Sequence, residues 1–162
     1  MRILLVRHGE ALGDPFPEVL RPLSPRGRKS VRLLAKGIEA LSFPIDRIYS
    51  SPLTRAIQSA EILLSMLRKS HPARLVEAKI ELASDFIPWA FDREAFLGFL
   101  AENYPQAVIL VGHEPNLMTL ASWIDGDLVK NESLTGIRKA TGVLLEWDPE
   151  VGGHYQGRIS HS

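Results

Sequence analysis

No cysteine occurs among the 162 residues. The chain can therefore form no disulfide and run no thiolate chemistry, and a reducing compartment costs its fold nothing, which makes the cytoplasm the expected location. An excess of charge of either sign is missing too, because 19 Lys and Arg are offset by 19 Asp and Glu. Without a broad basic field to concentrate nucleic acid or anionic lipid, neither is expected as a partner. Long apolar runs are absent as well. The longest near the N-terminus, Ile3 to Val6, is broken at Arg7, far short of a signal peptide's apolar core or of the roughly 20 residues that span a bilayer. No repeat at a solenoid period and no low-complexity segment is present, so the fold has to come from alternating elements.

What the chain does contain is ordinary for a globular protein, with 45% hydrophobic and 23% charged residues. Its length suits a single domain over residues 1–162, large enough to bury roughly two thirds of the unfolded chain's surface. "RILLVR" (Arg2 to Arg7) is a continuous apolar run of strand length, the pattern of a strand covered on both faces. After the Pro-rich "GDPFPEVLRP", Ser24 and Pro25 read as an N-cap and first helical residue. Val31, Leu34, Ala35, Ile38 and Leu41 then recur at helical spacing towards Ser42. "DRIYSS" predicts a strand from about Asp46, followed by a helix from Pro52, capped by Ser50 or Ser51, with a stripe of Ala56, Ala60, Leu63, Leu64 and Leu67. "ARLVEAKIEL" holds a short extended segment, "DREAFLGFLAENY" a third helix, and "AVILVGH" a second buried strand. "EPNLMTLASWIDG" gives a helix from Pro115 to near Gly126. The tail suggests closing strands in a hairpin across Gly152 and Gly153. Strands alternating with helices predict an α/β three-layer sandwich, a mostly parallel sheet with helices on both faces.

Strands of such a sheet finish along one edge, and ligands bind beyond their carboxyl ends. Three polar motifs fall there: Arg7 and His8 after the first strand, "SSPLTRAIQSAE" after the second, and "GHEPN" after "AVILV". Arg55 lies about one turn inside its helix, where free amides and the helix dipole favour an anion. Gly9 and Gly112, beside the two histidines, remove bulk where backbone can approach a ligand. Each residue alone has a commoner explanation. His8 or His113 could be a hydrogen-bonded strand-end histidine, Arg7 a surface charge, and Arg55 a solvated residue or the partner of Glu61 or another acid. Their coincidence at one edge outweighs these separate explanations.

"LLVRHGEA", "SSPLTRAIQSAE" and "VILVGHEPNL" resemble the three signature segments of the histidine phosphatase superfamily, also called phosphoglycerate mutase-like. Order and spacing match over most of the chain, up to about Asp125. The small size and "LRPLSPRG" ahead of the first helix are similar to the SixA-type phosphohistidine phosphatases. The resemblance implies that His8 attacks a phosphoryl group and becomes phosphohistidine, which water then hydrolyses.

The residues can support that chemistry. Imidazole is nucleophilic only when neutral, and two arginines about 5 Å away disfavour imidazolium by about 3 kcal/mol each at an effective dielectric near 20, roughly two pK units. Arg7 and Arg55 supply permanently charged, forked donors to the phosphoryl oxygens, and His113 adds one more, as imidazolium once phosphate is bound. Arg21 resembles a residue of the family's loop over the site, with an exposed loop charge as the alternative. Glu10 and Glu114 could be drawn with the histidines as metal ligands, but two arginines would repel the cation and satisfy the phosphate themselves. Neither metal nor cofactor is expected.

An alkoxide leaving group needs a general acid, which many superfamily members supply from a Glu-containing segment after the second helix. "IELASDFIPWAFDRE" offers Glu81, Asp85, Asp92 and Glu94 without the expected pattern. Imidazole leaves far more readily, so the expected substrate is a phosphohistidine-bearing protein such as a phosphorelay domain. The alternatives are a phosphatase for a small phosphorylated molecule, a sugar phosphate for instance, using Asp85 or another acid, and a non-catalytic phospho-binding module, against which the intact His8 and His113 speak. His71, His154 and His161 lie outside the motifs, and Trp89, Phe91 and Trp123 read as core rather than pocket residues.

Overall fold

The computed structural model describes residues 1–41, 43–71, 80–82, 92–103, 106–128 and 135–160. Six strands form one sheet: β1 (Arg2–Arg7), β2 (Arg47–Ser50), β3 (Ile80–Leu82), β4 (Ala107–Gly112), β5 (Thr141–Asp148) and β6 (Gly152–Ser160), in the order β3-β2-β4-β1-β5-β6. The four strands from β3 to β1 are mutually parallel. β5 runs antiparallel to β1, and β6 antiparallel to β5. The mostly parallel sheet expected from the alternation is therefore completed by an antiparallel hairpin.

The two central strands are the two continuous apolar runs. Every residue of β4 is buried, as are Ile3 to Val6 of β1. Since successive side chains of a strand point to opposite faces, Leu4, Val6, Ile109 and Val111 enter one core. They pack there with α1 (Pro25–Glu39) and α2 (Thr54–Ser70) through Val31, Leu34, Ala35 and Ile38 and through Ala56, Ala60, Leu63 and Leu67. Ile3, Leu5, Val108 and Leu110 enter the other, against Phe96 and Leu100 of α3 (Arg93–Asn103) and Leu117, Leu120, Ala121 and Ile124 of α4 (Asn116–Ile124). Among the described residues no helix is long and apolar enough to cross a membrane.

Ser24 caps α1 as expected, its Oγ accepting from the Gly27 amide at 2.9 Å. No side chain fits at Gly27, because a Cβ there would fall on the Glu10 carbonyl oxygen. This contact seats the start of α1 on the segment that follows β1. The helix stops at Glu39, short of Ser42. α2 departs further from expectation: it begins at Thr54, its N-cap is Leu53, and no side chain caps it. Ser51 has a different partner, described below. The hairpin turns at 149–151, where the Asp148 carboxylate accepts from the Glu150 and Val151 amides at 2.8 and 3.1 Å. Gly152, at φ +95°, takes the left-handed conformation that restarts the strand.

Candidate active site

The ends of the parallel strands gather the site. Arg7 lies opposite Gly112 in the β1–β4 register, the His8 amide donates to the Gly112 carbonyl at 3.2 Å, and the Ser51 amide donates to the Val111 carbonyl at 3.0 Å. The residues that follow β1, β2 and β4 are thus stitched side by side. His8, Arg55 and His113 are buried, at 7%, 6% and 3% exposure. Together with Arg7 and Arg21 they line one cavity of about 290 Å³.

The hydrogen bonds fix the proton of His8. Its Nδ1 lies 2.6 Å from the Gly9 carbonyl oxygen. A carbonyl oxygen only accepts, so Nδ1 carries the hydrogen and Nε2 keeps its lone pair. Burial, followed by the charges of Arg55, Arg7 and Lys139, lowers the His8 pKa to about 4, with the Gly9 bond opposing. The imidazole is therefore neutral at pH 7, as expected. The leading cause is desolvation, however, and the arginines come second.

The His113 ring centroid lies 4.9 Å from that of His8. His113 Nε2 is 2.7 Å from Ser51 Oγ, which also accepts from the Leu53 amide at 3.3 Å. The hydroxyl can give its hydrogen to Nε2, which leaves the imidazole proton on Nδ1, or accept from an Nε2–H on its second lone pair. Burial first, then His8 and the guanidinium of Arg55, lower the His113 pKa to about 3. The resting His113 is therefore a neutral imidazole rather than an imidazolium. His113 Nδ1 and Arg7 Nε are the buried side-chain polar atoms that lack a hydrogen-bond partner among the described residues. Both residues line the cavity.

Arg7 and Arg55 are held by other groups as well. Arg7 NH1 donates to the Ile137 carbonyl at 3.0 Å, and the Ile137 amide donates to Glu114 Oε1 at 2.6 Å. The other Glu114 oxygen accepts from the Met118 amide at 3.2 Å. Arg55 NH1 donates to the Glu18 carbonyl at 2.8 Å and NH2 to Glu18 Oε1 at 2.6 Å. Arg21 binds the other oxygen of that carboxylate at 3.0 Å and the Leu12 carbonyl at 2.7 Å, which puts it at the cavity rather than free in a loop. Arg21 first, with Arg55, holds the Glu18 carboxyl below its ordinary value.

The room left at Gly9 serves packing: a Cβ would come 2.8 Å from Val31 Cγ2 and 2.9 Å from the Gly27 carbonyl. Gly112 likewise faces Leu117 of α4, at 3.2 Å. Gly9 reaches the site through its backbone instead. Its carbonyl orients His8, and its amide donates to Ser59 Oγ at 3.1 Å, which in turn donates to the Arg55 carbonyl at 2.7 Å.

The carboxylates considered as acids are placed elsewhere or lie outside the described residues. Glu81 pairs with Arg47 at 3.7 Å, Asp92 accepts from the Ala95 amide at 2.9 Å, and Glu94 is exposed on α3. Asp85 lies outside the described residues, as do Trp89, Phe91 and His161. Trp123 packs against the second core. Glu10, drawn as a metal ligand, accepts from Ser24 Oγ at 2.8 Å. Among the described residues no group of three or more His, Asp or Glu could hold a metal ion. Sequence reasoning missed Glu18 and Ser51. Ser51 was visible only as a cap, and Glu18 only as an acid three positions before Arg21.

The two histidines predict an acid-dependent stability. Both have folded pKa values lowered, to about 4 and about 3, against about 6.5 unfolded. Below pH 6.5 the unfolded chain binds more protons than the folded one, so stability is full above pH 6.5 and falls as pH drops towards 4 and 3. Denaturant titrations between pH 7 and 4 should show this fall. A stability that rises over the same interval would contradict neutral, buried histidines.

The profile of the histidine phosphatase superfamily (branch 1) matches residues 3–83. An uncharacterized protein of Picosynechococcus is 33% identical over 122 residues, covering 72% of this chain and 68% of that one. Phosphohistidine phosphatase SixA of Escherichia coli is 34% identical over 61 residues, a match that spans 38% of either chain. Among solved structures, the protein histidine phosphatase SixA complexed with tungstate superimposes with a TM-score of 0.82 at 22% identity, covering 99% of this chain and 97% of that one. The alpha-ribazole phosphatase of Shigella flexneri gives 0.71 at 17% identity, covering 100% and 96%. A strand-end Arg-His pair and an arginine in the first turn of α2 lie within the matched segment, a second histidine follows β4 on a fold shared with these phosphatases, and the chain belongs to branch 1 of the histidine phosphatase superfamily.

Proposed function

We propose that this phosphatase removes the phosphoryl group from phosphohistidine on a protein, in the cytoplasm, without a metal. His8 Nε2 attacks the phosphorus as the P–N bond to the substrate breaks. The departing imidazole takes its proton from solvent. Water then attacks phospho-His8, which releases inorganic phosphate and returns the neutral imidazole. Arg7, Arg55 and His113 stabilise the charge spread over the equatorial oxygens. The Gly9 carbonyl holds Nδ1–H of His8 in place and accepts from it more strongly as the ring gains positive charge.

One observation supports phosphohistidine over a phosphomonoester. Glu18 and Glu114 are the carboxylates lining the cavity among the described residues. Glu18 is kept ionised by Arg21 and Arg55, and Glu114 accepts from two backbone amides. Neither is arranged to give a proton to an alkoxide, a step that contributes typically 10²–10⁴-fold. Purified protein should therefore hydrolyse a phosphohistidine-bearing phosphorelay domain at least about 10²-fold faster, in kcat/KM, than sugar or nucleoside monophosphates, with and without EDTA. Preference for a monoester would move the reading to a small-molecule phosphatase. Loss of activity in EDTA would remove the metal-free mechanism.

A further inference from the structure

The loop between β1 and α1 carries an unusual surface. Leu12, Phe16, Val19 and Leu20 are 39%, 40%, 49% and 58% exposed. They are four of the six large hydrophobic residues exposed among those described, the others being Leu82 and Val151. A single exposed apolar residue needs no explanation, whereas four within nine positions concentrate exposed apolar surface on one loop. The loop is tied down in that arrangement. The Leu12 amide donates to the Pro22 carbonyl at 2.8 Å, the Phe16 amide to Gly13 at 3.1 Å, the Leu20 amide to Pro17 at 2.9 Å, and Arg55 to the Glu18 carbonyl at 2.8 Å.

This surface adjoins the phosphate cavity without entering it. The same loop gives Ala11, Glu18 and Arg21 to the cavity lining, and none of the four apolar residues belongs to that lining. A small phosphorylated molecule seated in about 290 Å³ would leave them untouched. From a different part of the chain, exposed Lys139 also lines the cavity. Beyond Arg7 and Glu114, which the two cavities share, a second one of about 500 Å³ opens, bordered by exposed Arg138 and Arg158. Glu114, the carboxylate at that border, is committed to two amides. The loop that lines one side of the cavity thus carries exposed apolar residues, and exposed cations at 138, 139 and 158 lie along this cavity and the one that shares Arg7 and Glu114 with it.

We propose that these apolar and cationic residues dock a folded phosphoprotein that presents its phosphohistidine between apolar and acidic surface residues. The inference rests on the phosphohistidine reading above. The phosphoryl group enters the cavity, the partner's apolar residues cover Leu12, Phe16, Val19 and Leu20, and its carboxylates face Arg138, Lys139 and Arg158. Complementary charge sets approach and register, and the apolar contacts slow departure.

The test compares two substrates of the same chemistry, a phosphorelay domain phosphorylated on histidine and free N-phosphohistidine, with the full chain and its Val19→Ser/Leu20→Ser variant. The variant should raise KM for the domain about tenfold and change turnover of free N-phosphohistidine less than about twofold. Arg138→Glu should lower kcat/KM for the domain and flatten its salt dependence. Equal losses on both substrates, or no loss on the domain, would overturn the docking surface while leaving the phosphohistidine reading intact. A wild-type chain that hydrolyses neither substrate would overturn that reading itself. Sedimentation of the chain alone and with phosphatidylglycerol vesicles completes the set. If the Val19→Ser/Leu20→Ser variant loses self-association or vesicle binding while domain turnover is unchanged, the face belongs to a second copy or to a lipid surface, and the proposal fails.

Discussion

A His8→Ala chain is expected to lose roughly 10⁴-fold or more in turnover and to trap no phosphoenzyme on acid quench. The size of the effect follows from the geometry of the nucleophile. Nδ1 is committed to the Gly9 carbonyl at 2.6 Å, which leaves Nε2 as the one attacking atom His8 can offer. Burial and the neighbouring cations keep it unprotonated down to about pH 4. Alanine removes that lone pair, and His113 Nε2 is already paired with Ser51. The same variant should remain folded, since it exchanges a buried imidazole for a methyl group. Its unfolding free energy should also fall less steeply between pH 6.5 and 4, with one titrating group gone. Acid-labile phosphate still acquired by the variant would identify a different nucleophile.

The second large loss is expected at Arg55. Arg55→Ala removes charged donors from the equatorial oxygens in a desolvated site, and kcat/KM should fall roughly 10²–10³-fold. It also cuts both bonds to Glu18, at 2.8 and 2.6 Å, so the loop that carries Glu18 keeps its tie to α2 from Leu23 to Gln58 but loses those at Glu18. Lysine keeps the charge but offers a single point where arginine has a fork. Arg55→Lys should therefore recover only a minor part of the loss. A Glu18→Gln chain separates the two contributions, because it weakens the tie and leaves the guanidinium. If Arg55→Ala cost less than about tenfold, phosphoryl stabilisation would have to come from elsewhere in the pocket.

How much of this was legible beforehand depended on whether a residue's neighbours in sequence decide its role. β1 and β4 announce themselves by unbroken apolar runs, and the polar residues that end such runs fall on the ligand-binding edge of a parallel sheet. Arg7, His8 and His113 were readable for that reason, and Arg55 because it opens the helix after β2. Glu18 was not readable, since its partner lies 37 positions away and only the path of the loop brings them together. Ser51 was misread for a related reason. Its sequence setting, before a proline and a helix, suits a cap, but α2 starts at Thr54 behind Leu53, leaving the hydroxyl to His113. Gly9 carried one explanation in sequence, ligand approach, whereas in the structure α1 fills the space beside it. The pKa of His8 followed the same course: charge could be counted from the sequence, and the dominant effect, burial, could not.

The pairing of Arg55 with Glu18 has a kinetic consequence. Arg55 faces an anion before any substrate arrives, so on the proposed reading phosphoryl binding is an exchange, in which one oxyanion replaces another at the same guanidinium. A singly charged ion gains little from such an exchange, whereas a phosphoryl dianion, also received by Arg7 and His113, can displace the carboxylate. On the same reading, Glu18 competes with free phosphate for Arg55 when hydrolysis ends. The resting pair then sets Glu18 as an internal competitor for Arg55, one that weakens the hold on substrate and on product alike.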